Sequence, residues 1–189
     1  SERWGKFKGS LRVFRLCLGG KRREFVPVAS STKKGDSAQM FHKSHRESRV
    51  VATSVERMFD LVADVERYPE FLPLMRGATV VRRHANVYET EQILALGLLS
   101  YRLFTRTELD RPHTIVVTSA DPNFRRFDIR WAFAPTPEGF CHTEFALDCE
   151  VRSLWLKPIG DALVLQMAAM MVNAFATRAR RLESAAKSL

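Results

Sequence analysis

The chain has 189 residues, a formal net charge of +9, 46% hydrophobic residues and 27% charged residues. That length and balance fit one domain, or one domain with a tail, and exclude a collagen-like, a disordered or a disulfide-scaffold protein. With three cysteines, of which Cys141 and Cys149 would lie about 26 Å apart on one strand, no disulfide is expected and a reducing compartment is the natural setting.

The charge is uneven. Residues 1–39 hold ten basic and three acidic side chains, a net +7, and the remaining 150 residues carry only +2. This removes most of the composition-level case for nucleic-acid binding by the body, and no DNA partner is expected. Residues 1–39 lack periodicity. Gly19-Gly20 and the stretch from Ser30 to Ser37 punctuate them, so they read as a disordered basic arm or leader. A translated leader, with Met40 near the true start, is the favoured reading. An organellar targeting segment and an arm for phosphates or an anionic membrane stay open. Residues 40–189 form the domain.

In chain order, residues 43–52 predict a first strand. Thr53-Ser54 then offers a helix N-cap before Val55, Met58, Phe59 and Val62 at helical spacing. Asp64 is expected to cap a second short turn, which Tyr68-Pro69-Glu70-Phe71-Leu72-Pro73 breaks. From about residue 77 to 152 the period is two. Thr90, Gln92, Leu94 and Leu96 form one inward face, and Leu103, Thr105, Thr107 and Leu109 the next, across a hairpin tip at 97–100. Ile115–Ser119 is a short strand between turns at 110–113 and 121–123. Phe127, Ile129, Trp131 and Phe133, then Cys141, Thr143, Phe145, Leu147, Cys149 and Val151, show the cleanest alternation. One face is apolar and the other charged, as in an antiparallel meander with one wet side.

A long helix from about Ile159 to Ala185 closes the chain. Ile159, Leu163, Met167, Met170, Ala174 and Thr177 are expected as its inner stripe, widened by Met171 and Phe175. Asp161, Gln166 and Asn173 interrupt its apolar run, so it reads as a buried helix and not a membrane span. By burial, the architecture is α+β, with a curved sheet wrapped around one long helix.

At residues 59–73, FDLVADVERYPEFLP resembles the signature of the coenzyme Q-binding START-like proteins of the polyketide cyclase/dehydrase superfamily, some of whose bacterial relatives are described as ribosome-association toxins. Phe59, Asp60, Asp64, Tyr68, Pro69, Phe71 and Pro73 carry the match. Phe124–Phe127 with Trp131 and Phe133, residues 145–153 and residues 173–182 support it, so the likeness spans about 42–186. The resemblance implies a helix-grip fold with a hydrophobic tunnel between the sheet and the C-terminal helix. It also implies a polyprenyl quinone such as ubiquinone, or a similar lipid, as ligand, with no cofactor required. The tunnel is expected to be lined by Leu94, Leu96, Leu103, Phe127, Ile129, Trp131, Phe133, Phe145 and Leu147 from the sheet. Leu163, Met167, Met170 and Met171 are expected from the helix. Inward-facing Gln92 has two readings, a strand residue with satisfied hydrogen bonds or a headgroup contact for a quinone carbonyl. Leu74-Met75 departs from the Trp-Cys pair of many relatives.

For an enzyme, polar groups would have to converge inside. His142 and Glu144 share the wet face. His113 and His84 sit in turns, and His42 and His45 match no strong metal motif. Cys141 and Cys149 point inward as small hydrophobes. Together with what the resemblance implies, the expected function is non-enzymatic binding of a hydrophobic ligand that supports respiratory quinone function, with no catalytic residue and no metal. A ribosome-binding protein using Arg82-Arg83, Arg125-Arg126 and Arg178–Arg181 is the alternative, and a cyclase-type enzyme ranks third. The expected location is cytoplasmic and peripheral to an inner membrane, or the mitochondrial matrix if 1–39 is a targeting segment.

Overall fold

The structure, a computed structural model, describes residues 42–96, 99–152 and 157–188, with side chains at all of these except 42, 96, 99, 157–167 and 187. The expectations for residues 1–39, for Gly97 and Leu98, and for the side chains of Leu96, Ile159, Leu163 and Met167 lie outside the described residues.

Seven strands form one antiparallel sheet: β1 (His42–Val51), β2 (Met75–His84), β3 (Val87–Leu96), β4 (Leu99–Asp110), β5 (Thr114–Thr118), β6 (Phe124–Pro135) and β7 (Cys141–Val151). Their spatial order is β1-β7-β6-β5-β4-β3-β2. The last six strands follow one another as a meander, and the first closes against the last. Helix α1 (Val55–Ala63) follows β1, and the 31-residue α2 (Lys157–Lys187) ends the fold. The curved sheet and its C-terminal helix are those of the helix-grip fold.

The alternation in sequence becomes the two faces of the sheet. Along β7, Cys141, Thr143, Phe145, Leu147 and Cys149 are buried while Glu144 is exposed. On the outer face, arginines meet acids within and across strands: Arg102 with Glu91, Arg106 with Glu108, Arg126 with Asp128 and Arg46 with Asp148. Such solvated pairs contribute at most about 1 kcal/mol each.

The 59–73 motif joins three elements. Ser54 caps α1, its Oγ accepting from the Arg57 amide at 3.3 Å. At the other end of α1 the last carbonyls lack helical partners. The Tyr68 hydroxyl donates to the Val62 carbonyl, and the Tyr88 hydroxyl donates to the Ala63 carbonyl at 2.9 Å. Burial pushes both phenols above their ordinary pKa, which keeps them protonated as donors. Asp64 differs from expectation. It precedes the 3₁₀ turn Val65–Glu70, but its side chain makes no cap hydrogen bond and instead pairs with Arg67 at 3.3 Å. Pro69 lies inside that turn and does not end it.

The long helix is phased differently from the expected stripe. Its buried described positions are Ala168, Val172, Phe175, Ala176 and Ala179, while Met170 is 38% exposed and Met171 and Ala174 are only half-buried. The small alanines let the helix backbone approach the rest of the fold, and Phe175 fills the space between them. Large methionines would hold the helix off, so they sit at the margin of the contact.

Candidate functional site

The concave face has two unlike ends. At one end, Phe59, Trp131, Phe133, Phe145 and Phe175 pack ring against ring. Trp131 lies 4.7 Å from Phe145 and 5.2 Å from Phe175 between centroids, and Phe59 meets Phe133 edge-on at 5.8 Å. Trp131, Phe59, Phe145 and Phe175 are each at most 2% exposed. Spacings of this kind belong to a filled core. Trp131, Phe133 and Phe145, expected as tunnel wall, are buried and packed ring against ring, and Trp131 meets Phe175 of α2. Tyr68 and Phe71 complete the contact, each 5.1 Å from Phe175, with the Arg178 guanidinium 5.6 Å above the Phe71 ring.

The other end is polar below and incompletely filled above. Thr90 and Thr105, opposite each other on β3 and β4, share a hydrogen bond of 2.7 Å. Gln92 is 9% exposed, and its Nε2 donates to both threonine hydroxyls, at 3.0 and 3.1 Å. Its carboxamide oxygen has no hydrogen-bond partner among the described residues. Since no sealed side-chain oxygen or nitrogen among them lacks a partner, that oxygen remains reachable. Hydroxyls both donate and accept, so the two threonines can hold either face of the amide. Gln92 can thereby offer a donor or an acceptor to a ligand.

One step along the same face, Leu94 borders a cleft of about 30 Å³ with Leu72, Pro73, Leu74, Met75, Met170 and Met171. That is room for about two water molecules. Leu103 is buried beside Gln92, its partner across β3 and β4. Ile129 and Leu147 lie opposite each other on β6 and β7 and are buried, and Phe127 is half-buried nearer the end of the sheet. Of the expected lining residues whose side chains are described, only Leu94, Met170 and Met171 meet at this cleft, together with Pro73 of the motif.

A larger groove, about 360 Å³, lies elsewhere, between α1 and the last turns of α2. Its walls carry opposed charges held together: Arg57 bonds Glu183 at 2.7 Å, and Thr53 donates to the same carboxylate at 2.7 Å. On α1, Asp60 takes a two-pronged hydrogen bond from Arg111, at 2.8 and 2.9 Å. The arginines singled out for ribosome contact are mostly engaged within the fold. Arg82 faces Glu89, Arg83 lies 5.0 Å above the Tyr88 ring, Arg125 faces Glu150, and Arg178 pairs with Glu70. Arg180 and Arg181 are exposed.

Sequence reasoning passed over a second polar group near the cleft. Tyr101 is the directly opposed partner of Leu94 and continues the inward face of Leu103 and Thr105. Its hydroxyl donates to Asp121 at 2.7 Å and accepts from Asn123 Nδ2 at 3.2 Å. Burial, then the Asp121 carboxylate, raises the Tyr101 pKa and keeps the proton on the phenol. Extending the alternation of β4 back by one step would have found Tyr101. Its partners belong to a turn read only as a turn.

A family model described as polyketide cyclase / dehydrase and lipid transport matches residues 51–176. The ribosome association toxin RatA of Vibrio cholerae is 32% identical over 135 residues, covering 71% of this chain and 93% of that protein. The mitochondrial coenzyme Q-binding protein COQ10 homolog B of Xenopus laevis is 25% identical over 142 residues, covering 73% of this chain and 58% of that protein. Among solved structures, a START superfamily protein from Mycobacterium smegmatis superposes with a TM-score of 0.63 at 19% identity, over 74% of this chain and 98% of the other.

Proposed function

The chain belongs to the polyketide cyclase / dehydrase and lipid transport family, and from that premise we propose that it binds a polyprenyl quinone and releases it unchanged. The observation that carries this reading is the pairing of Gln92 with the cleft beside it. A quinone has a planar head with carbonyl acceptors and an apolar chain. With its carboxamide turned over, so that a threonine hydroxyl donates to its oxygen, Gln92 offers the carbonyl a donor, and Leu94, Met170 and Met171 offer adaptable apolar contact at the margin of the helix. The similarity to a coenzyme Q-binding protein supports the same ligand class. A cleft of about 30 Å³ is far below the ~300 Å³ of an ordinary ligand pocket, so entry of the ligand requires α2 to move away from β3 at Met170 and Met171. No helix among the described residues is long and apolar enough to cross a membrane. Contact with an anionic bilayer would be peripheral and would draw on the +7 of residues 1–39.

A ribosomal role is the second reading, favoured by the similarity to RatA over nearly the whole of that protein. With most arginines of the fold engaged in ion pairs, it would also depend on residues 1–39.

Mass spectrometry of organic extracts from the purified full chain, followed by titration of delipidated protein with a fluorescent quinone analogue, tests the first reading. A co-purifying prenylated quinone and saturable binding are expected, and Met171→Trp should reduce binding at least tenfold with little change in melting temperature. No extracted quinone and no saturation would sink it. Sedimentation of the same protein with ribosomal subunits tests the second. Counterion release demands that binding fall steeply with salt, and salt-insensitive or absent co-sedimentation counts against it.

A further inference from the structure

The cluster of Tyr101, Asp121 and Asn123 adjoins Leu94 of the cleft through the β3–β4 pairing and has more acceptor capacity than the fold consumes. Asp121 closes the β5–β6 turn: its Oδ1 accepts the Asn123 amide at 2.9 Å and its Oδ2 accepts the Tyr101 hydroxyl at 2.7 Å. A carboxylate has about four acceptor positions, so two remain open after these bonds. Tyr101 is itself tied on the far side by Asn123 and is packed by Phe124, 6.4 Å away and nearly perpendicular. Phe124 in turn lies 5.2 Å from Phe127. The result is an aromatic shelf with a fixed carboxylate at its rim, directly across one strand pair from Leu94 of the cleft. Asp121, Asn123 and Tyr101 are all half-buried, so the shelf is reachable without unfolding the turn. The turn is also anchored from behind, since the Arg152 amide donates to the Asn123 carbonyl at 2.7 Å and the Asp121 amide donates to Ser119 Oγ at 3.2 Å.

We infer that Asp121, held by Tyr101 and Asn123, accepts a phenolic O–H of the ligand head, so that the protein binds the reduced hydroquinone form in preference to the oxidised quinone. The inference rests on the quinone reading and names the redox form it takes. The chemistry is one of proton count. A hydroquinone brings two O–H donors. A quinone brings only carbonyl acceptors, which would face the Asp121 oxygens with no hydrogen between them. A hydrogen bond to a carboxylate is roughly twice as strong as a neutral one, and an acceptor facing an acceptor in a half-buried site loses its water without recompense. Gln92 does not discriminate, because its amide can present either atom. Discrimination therefore falls to Asp121.

The test is anaerobic titration of the delipidated full chain with decyl-ubiquinol and with decyl-ubiquinone. The reduced form is expected to bind at least tenfold more tightly. Asp121→Asn should bring the two affinities to within about twofold of each other. Tyr101→Phe keeps the ring on Phe124 and frees a further acceptor on Asp121, so it should keep or widen the preference. It also serves as the second variant if Asp121→Asn unfolds the turn. Equal affinities in the wild type, or a preference that survives Asp121→Asn, would overturn the inference and leave the quinone reading standing. A preference abolished by Tyr101→Phe would also overturn it, since the contact would then be to the phenol. Binding of neither form removes the quinone reading and this inference together.

Discussion

The two ends of the concave face belong to one sheet and differ in what its strands meet. Where β6 and β7 face α2, Trp131, packed between Phe133 and Phe145, meets Phe175, and all four rings are buried. Where Leu94 of β3 meets the same helix further along, it finds the margins of Met170 and Met171, and a small cleft remains one step along the strand from a hydrogen-bonded polar cluster. One surface thus supplies stability at one end and adaptability at the other. Substitutions should divide in the same way, costing stability at the aromatic end and ligand affinity at the polar end.

The largest expected effect is at the aromatic end. Phe175 is fully buried and touches Tyr68, Phe71 and Trp131. Phe175→Ala should cost about 3–5 kcal/mol, the range for deleting a buried aromatic ring, and lower the melting temperature by on the order of 10 °C. A loss under about 1 kcal/mol in chemical denaturation would break the comparison, because it would mean that this end also has empty volume into which the neighbours relax.

Alkaline pH sharpens the contrast at intermediate size. Burial raises the Tyr68 pKa well above its ordinary value and pushes the Cys149 thiol up to about 11. In both groups the folded state holds the proton more tightly than the unfolded chain does. The stabilisation is therefore complete below the unfolded values, near 9 for the thiol and 10 for the phenol, and is lost as pH rises toward the folded values. Stability should decline from about pH 9, by up to about 1.4 kcal/mol per pH unit for each titrating group. Tyr68→Phe should lower stability at neutral pH, by removing the bond to the Val62 carbonyl, and flatten the decline above pH 10. Equilibrium unfolding from pH 7 to 11 checks both. A wild-type curve that is flat through pH 10.5 would show that Tyr68 is not sealed in the core.

What could be read from the sequence follows the range of the interactions concerned. The alternation of Cys141 to Val151 and of Phe127 to Phe133 is a local property with period two, so strand identity and the inward faces were legible, Gln92 among them. The phase of α2 was not. Met and Ala are both apolar, and only contact with the sheet decides that Ala168, Ala176 and Ala179 lie inside while Met170 lies at the margin. The motif at 59–73 was recognisable, but its work was hidden. Tyr68 serves a carbonyl six residues back, and Phe71 reaches Phe175 more than a hundred residues on. The Tyr101–Asp121 bond joins the start of one strand to a turn beyond the next, which no local pattern reports.

The smallest expected effect on stability is at the polar end, and it bears most directly on function. Gln92→Leu replaces a buried amide by an apolar group of similar reach. The Thr90–Thr105 bond at 2.7 Å does not depend on the amide and should persist. Each threonine oxygen loses one incoming N–H, and an acceptor left with a spare lone pair is the milder form of dissatisfaction. Added apolar burial next to Leu94 and Leu103 works in the opposite direction. The two contributions should leave stability within about 1 kcal/mol of wild type, since removing a polar group without stranding a donor is close to neutral. Ligand affinity should fall about tenfold, because the head loses its adaptable partner while the apolar chain keeps its own contacts. Thermal unfolding and titration with the fluorescent quinone analogue, on the same preparation, read the two quantities separately. A loss of 2–3 kcal/mol with unchanged affinity would make the threonine–glutamine cluster a structural lock between β3 and β4. The two ends of the face would then differ in composition only, and the ligand head would have to be held by Tyr101 and Asp121 alone.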